Sequence, residues 1–404
     1  MSPENQSYEF KQTVQATPAQ VFYAFTNATA LKEWMCDVAT LSPKAGGRIY
    51  LAWNSGFYAA GEFTVFDSER SLAFTWFGRN EPAPTLVEIN LSTENDKTLV
   101  RLTHSGLGQG DAWANMVKEV TEGWPTSLEN LASVLESGPD LRIVLRPMLG
   151  ITVGDFDKTQ AEHLGVPVTE GIRLDGTLET MGAYKAGLRA NDVIVGIDGQ
   201  PVPDYASLAN SLSGHRAGDK VEVIYYRGSE KISTTMELSR RPVPEIPASV
   251  PAMVEIMQKR YDQIQEQLDQ LLEGVSDTEA AHKPAADEWS VNEILTHLIH
   301  GERDGHNFIT SQVGGQALWS DDYAGNLALR TNATLAALPT VADLRLELKC
   351  LYRESVALYA NIPLEFPKLR KGSWWGMAYY AAEPPYHDLG HIEQMRAAIE
   401  SARK

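Results

Sequence analysis

Cysteine is nearly absent from this 404-residue chain: Cys36 and Cys350 stand alone and far apart, with no Cys-x-x-Cys pair. That excludes a disulfide framework and a thiolate metal cluster, and both thiols are expected to be reduced and buried. Long apolar runs are missing as well. No segment reaches the roughly 20 apolar residues that a helix needs to span a bilayer, and the opening MSPENQSYEFKQTV has neither a basic start nor an apolar stretch of signal-peptide length. A cytoplasmic location with no membrane partner is therefore expected, where the glycosylation-like triplets at Asn27, Asn90 and Asn332 carry no meaning. Positive charge is the third scarcity. Lys and Arg number 35 against 53 Asp and Glu, a formal net charge of -18 with no basic block, so a phosphate backbone would be repelled and nucleic acid is not an expected partner.

What is present is enough apolar matter for several cores. Apolar residues make up 43% of the chain and charged residues 22%, a globular balance. Domains run to roughly 100–200 residues, and three zones of different pattern follow one another.

The first zone, residues 1–138, reads as a strand (Ser7 to Val14), a helix started by Thr17-Pro18 ahead of Val21, Phe22 and Phe25, a meander of β-rich runs, and a long last helix. In that helix Met116, Val120, Trp124, Leu128, Leu131 and Leu135 recur at helical spacing. A sheet closed by such a helix could enclose an apolar space lined by Phe22, Trp34, Trp53, Phe63, Trp76 and Trp124, suited to a small apolar ligand; the alternative is that the same rings form a packed core, the commoner fate of buried aromatics. His104 reads as a structural histidine at a strand end. The order of elements, with Ala16-Thr17-Pro18-Ala19-Gln20-Val21-Phe22, Leu31-Lys32-Glu33-Trp34, Leu72-Ala73-Phe74-Thr75-Trp76 and Thr98 to Leu107, resembles the START-like SRPBCC superfamily, in the branch related to the activator of the heat-shock chaperone ATPase. The resemblance implies an α+β helix-grip fold.

The second zone, residues 141–240, carries Leu149-Gly150-Ile151, Ala186-Gly187-Leu188, Asn191 to Gly199 and Gly218 to Gly228. Ile194 to Ile197 is a short buried strand, Asp198-Gly199 a tight turn, and Tyr205 to Leu212 a helix able to wall a groove. This pattern is similar to a mainly-β PDZ domain of the HtrA type. It implies that the backbone N–H groups of Leu149, Gly150 and Ile151 surround the terminal carboxylate of a peptide, which adds as a strand, with Arg142 or Arg146 supplying positive charge; the alternative is a PDZ fold kept as a spacer, its groove filled by its own chain. No Gly-x-Ser-x-Gly elbow accompanies it.

Residues 241–251 hold four prolines and form a semi-rigid linker. Residues 252–404 then read as helical throughout: Met253 to Leu272 line one face, Ser290-Val291-Asn292-Glu293 is a capping box, and Leu344 to Leu358 and Tyr386 to Ala402 supply two more helices, with a long connection from about Gly314 to Pro339. His387 and His391 stand one helical turn apart and project from one face, the spacing by which a helix grips a transition metal. His297 follows the Trp289-Ser290 start. His300 competes with it for that helix's ligand position, Glu302, Asp388 and Glu393 are candidates to orient ligand imidazoles, and Trp374-Trp375 to roof the site. The pattern resembles the DinB family of metalloenzymes, whose metal histidines map onto His297, His387 and His391 of an all-α four-helix bundle.

The chain is thus read as a multidomain α+β protein. The resemblances imply a divalent transition metal, zinc or nickel, and a metal-dependent transferase or hydrolase working with a low-molecular-weight thiol, beside peptide-binding and ligand-binding modules. The alternative is a non-catalytic adaptor with a structural or vestigial metal. No residue identifies a catalytic group or a substrate.

Overall fold

Thr17 opens the first helix, Pro18–Thr26, by a reciprocal cap. Its hydroxyl accepts from Gln20 N at 3.3 Å while the Gln20 amide oxygen accepts from Thr17 N at 2.9 Å, and Pro18 occupies a first-turn position where a missing N–H is no loss. The chain then runs through the Ala28–Trp34 helix into a meander. In this computed structural model, which describes residues 6–316 and 328–404, the strands form a seven-stranded antiparallel sheet. Its order is Gln6–Val14, Lys97–Leu107, Thr85–Glu94, Ser71–Gly78, Tyr58–Asp67, Arg48–Ala52, Val38–Leu41. The helix Asp111–Glu136 turns Met116, Val120, Trp124, Leu128 and Leu131 into the sheet's core, as the spacing predicts. Among the described residues no helix is long and apolar enough to cross a membrane.

Among the described residues the longest helices of the C-terminal zone are Val250–Leu271, Val291–Gly314, Val341–Ala360 and Tyr386–Ala402. Their apolar stripes close on one core that includes Met257, Ile264, Leu298, Leu348, Ile392 and Met395. Ser290 and Glu293 form the expected capping box. Three expectations need correction. Ser249 caps the first of these helices and Pro251 sits in its first turn, so the linker ends at residue 249. Part of the expected connection is the helix Ala328–Ala337, and residues 317–327 of it lie outside the described residues. Cys36 is buried but Cys350 is exposed, because it falls between the core-facing Leu348 and Leu351 on the solvent side of its helix.

The chain divides into two units, Met1–Asp140 together with Pro244–Lys404, and Leu141–Val243. The first and third sequence zones therefore pack together. Arg370 reaches the Glu33 carboxylate at 3.1 Å and the Tyr23 hydroxyl at 2.7 Å, and Ser373 also donates to Glu33. Burial pushes the Glu33 carboxyl above the usual range, while the Arg370 charge and the Ser373 hydrogen bond hold it down.

In the second unit the main path of strands is Glu230–Glu237, Lys220–Arg227, Val193–Ile197, Ile172–Thr177, Ile151–Gly154, with Gln200–Pro201 paired to Val193–Ile197. Asp198 and Gly199, at φ of 45° and 75°, make the two-residue turn between Ile197 and its partner Gln200. Two positive φ values in succession are what a tight hairpin of the favoured twist requires.

Candidate metal centre and ligand cavity

His297 comes from the Val291–Gly314 helix, and His387 and His391 from the Tyr386–Ala402 helix. The core packing that seats these helices brings the three imidazoles together. His387 Nε2 lies 3.1 Å from His297 Nε2 and 3.2 Å from His391 Nε2, and one ligand atom from each residue falls within 4.8 Å of the others. His391 Nδ1 faces the Gln394 amide oxygen at 2.9 Å. An amide oxygen only accepts, so Nδ1 carries the proton and Nε2 turns a lone pair inward. With neutral rings, one proton on His387 Nε2 cannot satisfy both neighbours. Burial and the neighbouring His391 charge lower the His387 pKa, which favours the neutral ring.

The surroundings differ from the sequence reading. Trp289 flanks the site, stacked on His391 at 6.1 Å and tilted against His297 at 5.2 Å between ring centroids. Trp374 instead is core, its indole N–H donating to Pro247 O, and Trp375 packs on Tyr379. The three named carboxylates are engaged with other partners. Asp388 pairs with Arg260, Glu302 accepts from Tyr261 and Ser355, and Glu393 pairs with Arg396. Arg260 also donates to Glu383 O at 2.9 Å, which fastens the turn leading to His387. His300 is buried against Thr334, 3.0 Å from its hydroxyl, with its pKa driven down to about 4 by burial.

In the first domain a cavity of about 310 Å³ opens between the sheet and the long helix. Trp53, Trp76 and Trp124 line it as expected, joined by Phe57, Met35, Met116, Glu81, Glu119 and His104. Phe22, Trp34 and Phe63 do not line this cavity. Phe22 and Phe63 pack edge-on against Phe66, and Trp34 lies on Phe25 with its N–H given to Ala24 O; rings engaged on this side fill the closed core. Fully buried His104 accepts from Trp124 Nε1 at Nδ1, 3.0 Å, so its Nε2–H faces Thr85 Oγ1 at 2.8 Å. Burial drives its pKa down to about 4. Because the unfolded ring binds a proton the folded ring refuses, stability is lost as pH falls from the unfolded pKa of about 6.5 through the folded value. The advantage of the native protein over His104→Asn should shrink by about 2–3 kcal/mol between pH 7 and 4.5 in urea unfolding.

In the second unit Ile151–Gly154 is an edge strand paired only with Ile172–Thr177 among the described residues. The N–H groups of Leu149 and Gly150 just before it meet no acceptor among the described residues. Gly150, at φ 79°, would place a Cβ 2.2 Å from Met181 Cβ, so any side chain there disrupts the loop itself.

Residues 15–136 match the family described as Activator of Hsp90 ATPase homolog 1-like protein, and residues 147–238 match the PDZ domain. The first unit thus contains an Hsp90-activator-like SRPBCC domain and the second is a PDZ domain. The solution structure of the Aha1 dimer from Colwellia psychrerythraea is 20% identical, covers 32% of this chain and 96% of that one, and gives a TM-score of 0.30. An HSP90 activator from Plasmodium falciparum is 25% identical over 32% of this chain and 95% of its own, with a TM-score of 0.28. Among curated proteins, the serine protease Do-like HtrA of Lactococcus lactis subsp. cremoris is 29% identical over 134 residues, 30% of this chain and 33% of that protein. The periplasmic serine endoprotease DegP of Escherichia coli is 25% identical over 136 residues, 34% of this chain and 26% of its own. The chain spans a quarter to a third of the length of these curated relatives.

Proposed function

We propose that the C-terminal bundle is a DinB-like centre for one divalent transition metal, zinc or nickel, held by His297, His387 and His391. The observation that carries this is the approach of three imidazole nitrogens from two helices, with the His391 tautomer set by Gln394. Three neutral nitrogens suit such an ion, and a three-ligand set leaves a position at which the metal would lower the pKa of a bound water or thiol. The site is reachable, His387 being exposed. In this proposal the bundle is a metal-dependent transferase or hydrolase acting with a low-molecular-weight thiol, for which the open position and the exposed His387 leave room. Around it the chain's own residues have plain tasks: Trp289 walls the ligand rings, Gln394 orients His391, and Arg260 with Asp388 fixes the first turn of the last helix. Elemental analysis of the purified full chain should find about one zinc or nickel per chain, and a thiol-transfer assay with and without chelator reads the activity. A metal-free protein that takes up neither ion would overturn the reading.

In the same proposal the PDZ groove takes a peptide C-terminus along Ile151–Gly154, the cavity of the first domain takes a small molecule with apolar substituents, and the protein works in the cytoplasm. Two amide donors before an open strand edge support the peptide part. Because substitution of Gly150 breaks the loop, the test belongs on the peptide: binders selected from a C-terminal library should lose at least about tenfold in affinity when the carboxylate is amidated, since the charge-assisted hydrogen bonds disappear.

A further inference from the structure

The cavity of the first domain has a one-sided chemistry. Each of its three indole N–H groups is already committed inside the protein: Trp53 to Met35 O at 2.7 Å, Trp76 to Glu81 Oε1 at 2.9 Å, and Trp124 to His104 Nδ1 at 3.0 Å. His104 spends its remaining nitrogen on Thr85. No aromatic N–H donor among these lining residues is left for a guest. The rest of the lining includes Phe57, two methionines, Ser55, Ser127, Glu81 and Glu119, with no Lys or Arg among the lining residues; the Glu81 carboxylate also accepts from Gly78 N, which leaves Glu119 as the uncommitted acidic side chain of the lining. The rings form a connected series, Trp53 to Phe57 at 5.4 Å, Phe57 to Trp76 at 6.5 Å and Trp76 to Trp124 at 5.9 Å between centroids. Arg79 lines only the adjoining outer groove and donates to Gly56 O at 3.0 Å.

Aromatic faces attract cations through their quadrupole, tryptophan most strongly, and carboxylates at the same space reinforce the preference. A neutral apolar guest would gain burial but leave that field unused, and an anion would meet two like charges with few donors to offset them. We propose that this cavity binds a small organic cation, an ammonium group carrying apolar substituents. The proposal rests on the reading of the cavity as a ligand site and names the chemistry of the guest. About 310 Å³ sits at the lower end of small-molecule pockets, so the guest is a compact amine rather than a lipid.

The test compares choline with its neutral carbon isostere, 3,3-dimethylbutan-1-ol, and with the anion 3,3-dimethylbutanoate, by calorimetry and tryptophan fluorescence on the full-length protein. Choline should bind at least about tenfold more tightly than the alcohol, and the anion more weakly than either. Glu119→Gln, an exposed change that leaves packing intact, should weaken choline severalfold and leave the alcohol unchanged. Trp53→Leu, checked for folding by circular dichroism, should weaken choline by about tenfold. Equal binding of alcohol and choline, or tighter binding of the anion, overturns the cation assignment and leaves the cavity reading standing. If none of the three binds at millimolar concentration, both fall.

Discussion

His387→Ala is expected to reduce the metal content of the purified protein from about one ion per chain to almost none. His387 Nε2 is the atom both other imidazoles approach, at 3.1 and 3.2 Å, and without it the remaining pair comes from two different helices with no third nitrogen between them. His391→Ala should act in the same direction. Gln394→Ala should be milder, weakening affinity by roughly 10–100-fold, because a ring freed from its Nδ1 partner must be reoriented on binding. His300→Ala should keep the metal, since that ring is turned to Thr334. Circular dichroism of the chelated protein should remain that of a folded bundle, whose core of Met257, Ile264, Leu298, Leu348 and Ile392 involves no ion. Retention of metal in both His387→Ala and His391→Ala would refute the assigned ligand set.

The second large effect is expected where the first domain meets the bundle. Arg370→Ala should destabilise the protein by about 3 kcal/mol at neutral pH, because the Glu33 carboxylate keeps its burial and loses its counter-charge. The sign of the pH dependence follows. Glu33 has a folded pKa above its unfolded one, so its burial weighs against folding at pH above the ordinary carboxylate value of about 4.3 and vanishes when both states are protonated. Removing Arg370 raises the folded value further, so the loss caused by Arg370→Ala should shrink as pH falls from 7 toward 4. Adding Glu33→Gln to Arg370→Ala should restore most of the lost stability by removing the charge. A loss below about 1 kcal/mol that does not change with pH would mean that the pair behaves as an exposed one.

Local signals proved sufficient for most of the architecture. Caps at Thr17 and Ser290, the turn Asp198-Gly199 and the stripe from Met116 to Leu131 each rest on neighbours a few residues apart, and each is found where the pattern put it. The pair His387 and His391 was legible for the same reason, as one helical turn. Gln394 offered only a spacing of three from His391, which any polar residue on a helix face shares. Trp289 precedes its helix and so has no periodicity that ties it to the site. Among the aromatics, alternation says which side of the sheet a ring is on, but not whether the long helix presses down on it. Trp53, Trp76 and Trp124 border the space the helix leaves, whereas Phe63 and Trp34 lie in closed core. The bond between Glu33 and Arg370 spans 337 positions, and nothing in a single sequence couples residues so far apart.

That span has a temporal meaning during synthesis. A ribosome adds roughly 5–20 residues per second, so the Hsp90-activator-like sheet and its closing helix are complete for tens of seconds before Arg370 and Ser373 are made. Throughout that interval the Arg370 and Ser373 partners of Glu33 do not yet exist. The carboxylate made first is thus given its counter-charge last, so the contact between the first domain and the bundle closes only after almost the whole chain has been made.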